Sequence, residues 1–322
     1  MEIKNVAEEI LKYNKIAITF HTSPDGDAIG SSLGLLNVLR NIGKTAYITS
    51  RDVIPDNLSF LPCGNEITGE VEISEDTELV VVLDCGNTDR ISADLENYNG
   101  KIINIDHHMS NENYGYINYI ESDSAACAEI VYLLAKELGF NFEKDIKESI
   151  EVGMCIYTGI LTDTGSFRHS NVTKRTHYIA GSLIDIGVKN NEIHSLIFEN
   201  RPYEKIKLIG ATMNNLELLC DNKVAYVEVS IDLLKSLGFE NVDTSDIISM
   251  ALSIAGVEVA VLTKEAEDGV KASLRSKNDI DVRKIAEALG GGGHVKAAGL
   301  KIKDVTLTKA KEIIINQVKK EL

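Results

Sequence analysis

Five cysteines, Cys63, Cys85, Cys127, Cys155 and Cys220, are scattered through the chain, and no two of them form a CxxC pair. Such a scatter builds neither a disulfide framework nor a thiolate zinc site, and reads as small core residues. Long apolar runs are missing too. The best candidate, residues 152–162, is short for a bilayer and carries hydroxyls, so no membrane partner is expected. The opening MEIKNVAEEILKY is charged throughout and has no apolar signal core, which predicts a cytoplasmic protein. Basic residues are in deficit: 33 Lys and Arg against 49 Asp and Glu give a formal net charge of -16. That field repels polyanions and excludes tracking of long nucleic acid along a broad basic face. A small anionic substrate would need metal ions or a local cluster of cations to overcome it. There is no GxGxxG, since the first apolar run leads to GSSLG, and this speaks against a dinucleotide-binding fold.

What is present is organised around residues 15–34, KIAITFHTSPDGDAIGSSLG. Residues 16–20 read as a buried strand, a polar loop with Pro24 and Gly26 follows, and 28–41 have helical pattern. Asp27 stands where an N-cap is expected and Gly43 where the helix stops. Residues 45–49 predict a second strand. The run 79–83, LVVVL, predicts a central parallel strand ending in Asp84, and the strand 101–105 runs into Asp106, His107 and His108. Helices are expected over 124–138 and 146–161, the second leading to Asp163 in TDTG. Residues 173–217 are helical in pattern, interrupted near Gly187 and Pro202. Strands at 224–229, 257–263 and 270–275 and a helix at 282–289 follow. The 322 residues suffice for two domains. The expected fold class is α/β: an N-terminal domain (1–187) with a mainly parallel sheet flanked by helices, a helical linker (188–217) and a smaller α/β C-terminal domain (218–322).

Three predicted strands thus end in carboxylates or imidazoles at one edge of the sheet, where open α/β sheets place ligands. Taken singly, Asp163 reads as a turn residue, Asp84 as a cap and His107 as a satisfied polar group. Together His21, Asp25, Asp27, Asp84, His107, His108 and Asp163 place four carboxylates in one pocket, where they repel and raise one another's pKa values. Two divalent cations cancel that charge, with the central Asp84 bridging them. Mixed imidazole and carboxylate donors suit manganese, iron or cobalt more than an all-oxygen magnesium cage. Paired ions hold a bridging water as hydroxide and stabilise both oxygens of an in-line displacement at phosphorus, which makes phosphoester hydrolysis the expected chemistry.

A second constellation lies near the end of the chain. In GGGGHVKAAG, Gly290 alone suffices to close the preceding helix, and three further glycines need another reason. Backbone N–H groups without Cβ atoms approach an anion closely, and a short helix beginning near His294 would aim its positive end at the same place. Upstream, Lys271, Ser273, Arg275, Ser276 and Lys277 gather donors on one strand and its end, and Arg275 is suited to grip a phosphate with two parallel bonds.

HxxxDxD at His21, the strand-end Asp84, the DHH triplet Asp106 to His108 and D-T-G from Asp163 together resemble the four motifs of the DHH phosphoesterases. The GGGHVKAAG run resembles the most specific motif of the DHHA1 domain. The likeness covers nearly the whole chain and is closest to the nanoRNase and pAp phosphatase (NrnA-like) branch. It implies two divalent metal ions, expected to be Mn2+. His21, Asp25 and Asp84 would hold one, and Asp27, Asp84, His107 and Asp163 the other. Asp106 would orient the imidazoles, and His108 would face the substrate phosphate and stabilise the transition state. The active site would lie in the cleft between domains, with Arg275, Ser276, Gly291, Gly292, Gly293 and His294 binding a second phosphate or nucleotide. The implied substrates are pAp and RNA of two to five nucleotides, with pApA or cyclic di-AMP as alternatives. Pairing of the chain with itself is left open. A related inorganic pyrophosphatase would carry a different second domain, a RecJ-type exonuclease would need an added OB-fold, and a nucleotide sensor without turnover would not need the full ligand set. His169 stands where a tyrosine is expected in the family, which leaves the role of Arg168 and His169 open.

Overall fold

Short β-branched and apolar runs that cannot satisfy a helical period become strands, as the computed structural model of the chain shows. It describes residues 1–239, 242 and 244–322. The chain divides into two units, Met1–Asn200 and Arg201–Leu322. The first contains α1 (Ile3–Ile10), β1 (Lys15–Thr19), α2 (Gly26–Asn41), β2 (Thr45–Ile48), β3 (Leu79–Leu83), β4 (Lys101–Asp106), β5 (Ile117–Ile120), α3 (Cys127–Glu137), α4 (Ile146–Asp163), α5 (Lys174–Asp185) and α6 (Asn190–Phe198).

Its five strands are all parallel, in the order β2-β1-β3-β4-β5. Thr19 lies opposite Val82 and Leu83 opposite Ile105. Continuing that register brings His21, Asp84 and Asp106 level, so the three chemically loaded strand ends stand side by side. Alternation sorts the strand residues by face. Ile16, Ile18, Leu79, Val81, Leu83, Ile103 and Ile105 pack against helix residues such as Leu33, Leu36, Val131 and Ile156. Ala17, Val80 and Val82 meet Cys85, Ile91 and Ala93 from the connecting loops on the other face. The α2 and α4 helices touch closely: a Cβ at Gly30 would lie 2.4 Å from the Cys155 carbonyl oxygen, so only glycine fits there.

The second unit contains α7 (Tyr203–Asn214), β6 (Glu217–Leu219), β7 (Val224–Val229), α8 (Ile231–Ser236), α9 (Ser245–Ser253), β8 (Val259–Ala266), β9 (Gly269–Ser276), α10 (Val282–Glu287), β10 (Gly292–His294), β11 (Ala297–Lys303) and α11 (Leu307–Val318). The helical stretch expected to join the domains therefore contributes α6 to the first unit and α7 to the second. Among the described residues of the second unit, six strands run in the order β10-β11-β9-β8-β7-β6, and only β7 and β8 are parallel. The helices α10 and α11 cover one face through Val282, Ile285, Ile314 and Val318. On the other, Leu208, Leu234, Ile247 and Ala251 pack against β7 and β8, and α9 also lies against β9.

Two local expectations are overturned. The carboxylate of Asp25, not Asp27, caps α2, accepting from the N–H groups of Asp27 and Ala28. No helix begins near His294: Gly292–His294 is the edge strand β10, folded back on β11 as a hairpin. The hairpin explains most of the glycine run. Gly290, at φ +80°, closes α10. Cβ atoms at Gly291 and Gly293 would lie 2.3 Å from the Gly299 oxygen and 2.6 Å from the Ala297 oxygen, whereas Gly292 has open space.

Candidate metal centre

Three strand ends and two helices carry the cluster. The β1 strand delivers His21 and the α2 entry delivers Asp25 and Asp27; β3 delivers Asp84, β4 delivers Asp106 to His108, and the last turn of α4 delivers Asp163. Every acid and imidazole expected in the first unit is brought together, in three overlapping sets: His21, Asp25 and Asp84; Asp27, His107 and Asp163; and Asp84, Asp106, His107 and His108.

Asp84 is central. It is 2% exposed and adopts φ +52°, a left-handed conformation that few side chains tolerate. Its Oδ2 lies 3.7 Å from His21 Nε2, and that nitrogen is 3.8 Å from Asp25 Oδ2. Its Oδ1 lies 3.5 Å from His107 Nε2, which is in turn 3.8 Å from Asp27 Oδ2 and 3.7 Å from Asp163 Oδ2. One carboxylate thus turns its two oxygens to two separate groups of donors. These gaps are too long for hydrogen bonds. Two donors each about 2.1 Å from a shared cation lie no more than about 4.2 Å apart, so the spacing fits metal ions. Asp84 Oδ1 is buried and has no hydrogen-bond partner, and a cation would supply one.

The imidazoles are set for the same purpose. His21 Nδ1 lies 3.0 Å from the Thr22 carbonyl and His107 Nδ1 3.2 Å from that of Ser124. A proton on each Nδ1, donated to those carbonyls, leaves the Nε2 lone pairs facing the carboxylates, as in metal-ligating histidines.

Asp27 is held differently from a helix cap. Its Oδ2 and Oδ1 accept from the N–H groups of Cys127 and Ala128, 2.6 and 2.9 Å away, at the start of α3. The unpaired amides of a helix N-terminus therefore fix this buried carboxylate from another element. Gly159 leaves room for it: a Cβ there would lie 2.7 Å from Asp27 Oδ1 and 2.6 Å from Ala128 Cβ. Gly159→Ala is expected to displace Asp27, cost about 1–3 kcal/mol of stability and lower Mn2+ uptake; thermal unfolding and metal analysis of the purified variant check both.

Charge is crowded here. Burial, then the carboxylates of Asp84 and Asp163, raise the Asp27 pKa well above the usual carboxylate range. Burial, with Asp84 and Asp25 adding to it, pushes Asp163 up to about 6. Burial opposes protonation of His107, but the carboxylates of Asp84, Asp27 and Asp163 outweigh it and lift the ring to about 10. Partial desolvation likewise opposes ionisation of Asp25, yet His21 and the Ala28 N–H hold its carboxyl at about 2. Without cations, protons compensate the cluster's charge; with them, those protons would be released.

Asp106 is fully buried behind the cluster. Its Oδ1 accepts from His108 Nδ1 at 2.7 Å and from the His107 N–H at 2.7 Å, and its Oδ2 accepts from Asn111 Nδ2 at 2.6 Å. Asn111 also donates to Asn104 Oδ1, and Asn104 donates to the Tyr114 hydroxyl. These supports escape a sequence reading, the only signal being polar residues soon after DHH. His108 is the most exposed imidazole of the cluster, its side chain 41% accessible. Arg168 Nε donates to the Gly165 carbonyl and His169 Nδ1 lies 3.3 Å from the Asp163 carbonyl, so both brace the turn after Asp163.

In the second unit, His294 pairs with Ala297, which pairs with Arg275 on the next strand. Directly opposed residues share a face, so Arg275 and His294 flank Ala297 on one face of the sheet, Arg275 half-buried and His294 exposed. Gly292 pairs with Gly299, and Gly299 with Ser273, in the same way. Lys271 shares the Arg275 face by alternation. Ser276 alternates away; it is buried and its hydroxyl donates to the Ile280 carbonyl at 2.7 Å. Lys277 Nζ donates to the Ile254 carbonyl.

Comparison with known proteins agrees with this division. Residues 15–160 match the DHH family, N-terminal domain, and residues 221–321 match the DHHA1 domain. The bifunctional oligoribonuclease and PAP phosphatase NrnA of Thermus thermophilus is 34% identical over 324 residues, covering 100% of this chain and 95% of its own. The protein of the same name from Bacillus subtilis is 29% identical and covers 90% of each chain. The crystal structure of an exopolyphosphatase-related protein from Bacteroides fragilis superposes with a TM-score of 0.89 at 24% identity, over 99% of this chain and 95% of that one, and supports the fold.

Proposed function

Since the chain belongs to the DHH/DHHA1 family of phosphoesterases, we propose that it hydrolyses short oligoribonucleotides to nucleoside monophosphates, and pAp to AMP and phosphate. The observation that carries this reading is the split carboxylate of Asp84, one oxygen toward His21 and Asp25, the other toward His107, Asp27 and Asp163. These six residues would hold two divalent cations, Mn2+ by the mixed nitrogen and oxygen character of the set. When bound, such ions lower the pKa of water and neutralise charge on both sides of an in-line displacement at phosphorus.

The protein's own groups do the rest. Asp106 takes the Nδ1 side of His108 and so fixes the ring, leaving Nε2 to donate to a phosphoryl oxygen as charge builds there. Arg275 would bind a second phosphate of the substrate, with His294 beside it across Ala297 and Gly292 leaving the sheet edge open. The net charge of -16 favours short substrates, which need only local cations.

Mn2+-loaded protein should be assayed for kcat/KM with pAp, RNA dimers to pentamers, pApA, cyclic di-AMP and pyrophosphate. A preference for pAp and short RNA is expected; turnover of pyrophosphate alone, or of none, would overturn the reading. Arg275→Ala is expected to raise KM for pAp about tenfold or more with Mn2+ content unchanged. Loss of metal as its main effect would remove Arg275 from the substrate.

A further inference from the structure

The guanidinium of Arg90 lies beside His21, a candidate metal ligand. Arg90 ends the single 3-10 turn Thr88–Arg90 that follows β3, six residues after Asp84. Its position is fixed on three sides. The Asn87 side chain accepts from its N–H, its carbonyl accepts from the Thr22 N–H at 2.7 Å, and the next residue, Ile91, bridges to His21. The side chain is exposed, and its Nη2 lies 3.2 Å from His21 Nδ1. Among the described residues it forms no ion pair, although five carboxylates, Asp25, Asp27, Asp84, Asp106 and Asp163, gather in the adjoining cluster.

A guanidinium carries donors and no acceptor. His21 Nδ1 is also 3.0 Å from the Thr22 carbonyl, and a nitrogen that donates its proton to that oxygen cannot at the same time accept one from Arg90. When the Nδ1 proton of His21 goes to that carbonyl, Arg90 keeps no side-chain hydrogen bond among the described residues, and its exposed fork of N–H groups beside His21 is unmatched. A phosphate oxygen has the acceptor geometry and charge to replace the ring nitrogen.

We propose that Arg90 is a substrate-binding residue of the first unit, gripping a phosphate of the phosphoester on the His21 side of the metal centre. The assignment rests on the function proposed above and adds to it a cation carried by the unit that carries the metal cluster. It also accounts for how an acidic chain attracts an anion to a pocket of carboxylates.

The test compares wild type, Arg90→Ala and Arg90→Lys, each loaded with Mn2+. Three quantities are measured: Mn2+ bound per chain, the Kd for inorganic phosphate by calorimetry, and KM and kcat for pAp. Arg90→Ala is expected to weaken phosphate binding and raise KM by about ten- to a hundredfold while keeping its manganese, with Arg90→Lys in between. Unchanged phosphate affinity in Arg90→Ala would overturn the assignment. So would loss of manganese with normal phosphate affinity at the sites still loaded, which would make Arg90 a support for His21 only, and so would a wild type that takes up no phosphate. If wild type binds phosphate yet turns over none of the nucleotides, the proposed reaction fails while the phosphate Kd still judges Arg90.

Discussion

Asp84→Asn is expected to reduce Mn2+-dependent hydrolysis of pAp by at least about a thousandfold. Asparagine is the informative replacement because Asp84 sits at φ +52°, a conformation that Asn accepts as readily as Asp, so the strand end is preserved. What is lost is one negative charge shared by two donor groups. Stability should move the other way. In the metal-free protein the carboxylates of Asp27, Asp84 and Asp163 repel one another, and burial and that repulsion raise the pKa values of Asp27 and Asp163. Removing the central charge should leave the metal-free Tm equal or higher. The wild type should gain Tm on adding Mn2+, since a ion that binds only the folded state stabilises it, and the variant should not. Retained turnover, or a metal-induced rise as large as that of the wild type, would remove Asp84 from the bridging place.

Part of this site is legible in the chain alone. Residues at the ends of apolar runs were readable, because a parallel sheet aligns strand ends and the register sets His21, Asp84 and Asp106 level. The grouping of Asp163 with them was readable from the motif it shares with the family. The partners of Asp27 were not: the N–H groups of Cys127 and Ala128 lie a hundred residues further on, and no local pattern announces them. Any carboxylate near a helix start fits the cap of α2, so the sequence admits Asp27 there, and Asp25 fits it as well. The hairpin of β10 and β11 was missed for another reason. Glycine and alanine show no apolar alternation, and the strand character of this segment comes from pairing with β9 rather than from its own side chains. Gly293 is demanded by the approach of the Ala297 carbonyl, a contact invisible until the chain folds back.

Arg175→Met is expected to destabilise the protein by about 3–5 kcal/mol, because it leaves a buried carboxylate unpaired. Glu129 is fully buried; its Oε2 accepts from Arg175 Nε at 3.0 Å, and its Oε1 has no hydrogen-bond partner. The same guanidinium donates to Glu121 at 2.8 Å and to the Ser124 hydroxyl at 2.6 Å. It thereby holds the turn before α3 against α5, and the carbonyl of Ser124 in that turn faces His107 Nδ1. Arg175 thus reaches the metal centre through one backbone carbonyl, and its loss should weaken Mn2+ binding by about 10- to 100-fold, as loss of a ligand's support does. The two effects separate in a second variant. Adding Glu129→Leu to Arg175→Met removes the orphaned charge and should restore most of the stability, since apolar replacement of a buried ion pair is often neutral or better. It cannot restore the latch on residues 121–124, so Mn2+ affinity should stay low. Urea unfolding of the metal-free proteins and Mn2+ titration of the folded ones measure the two quantities independently. Recovery of both in the double variant would mean that Arg175 acts through Glu129 alone and that the Ser124 carbonyl orients His107 without its help.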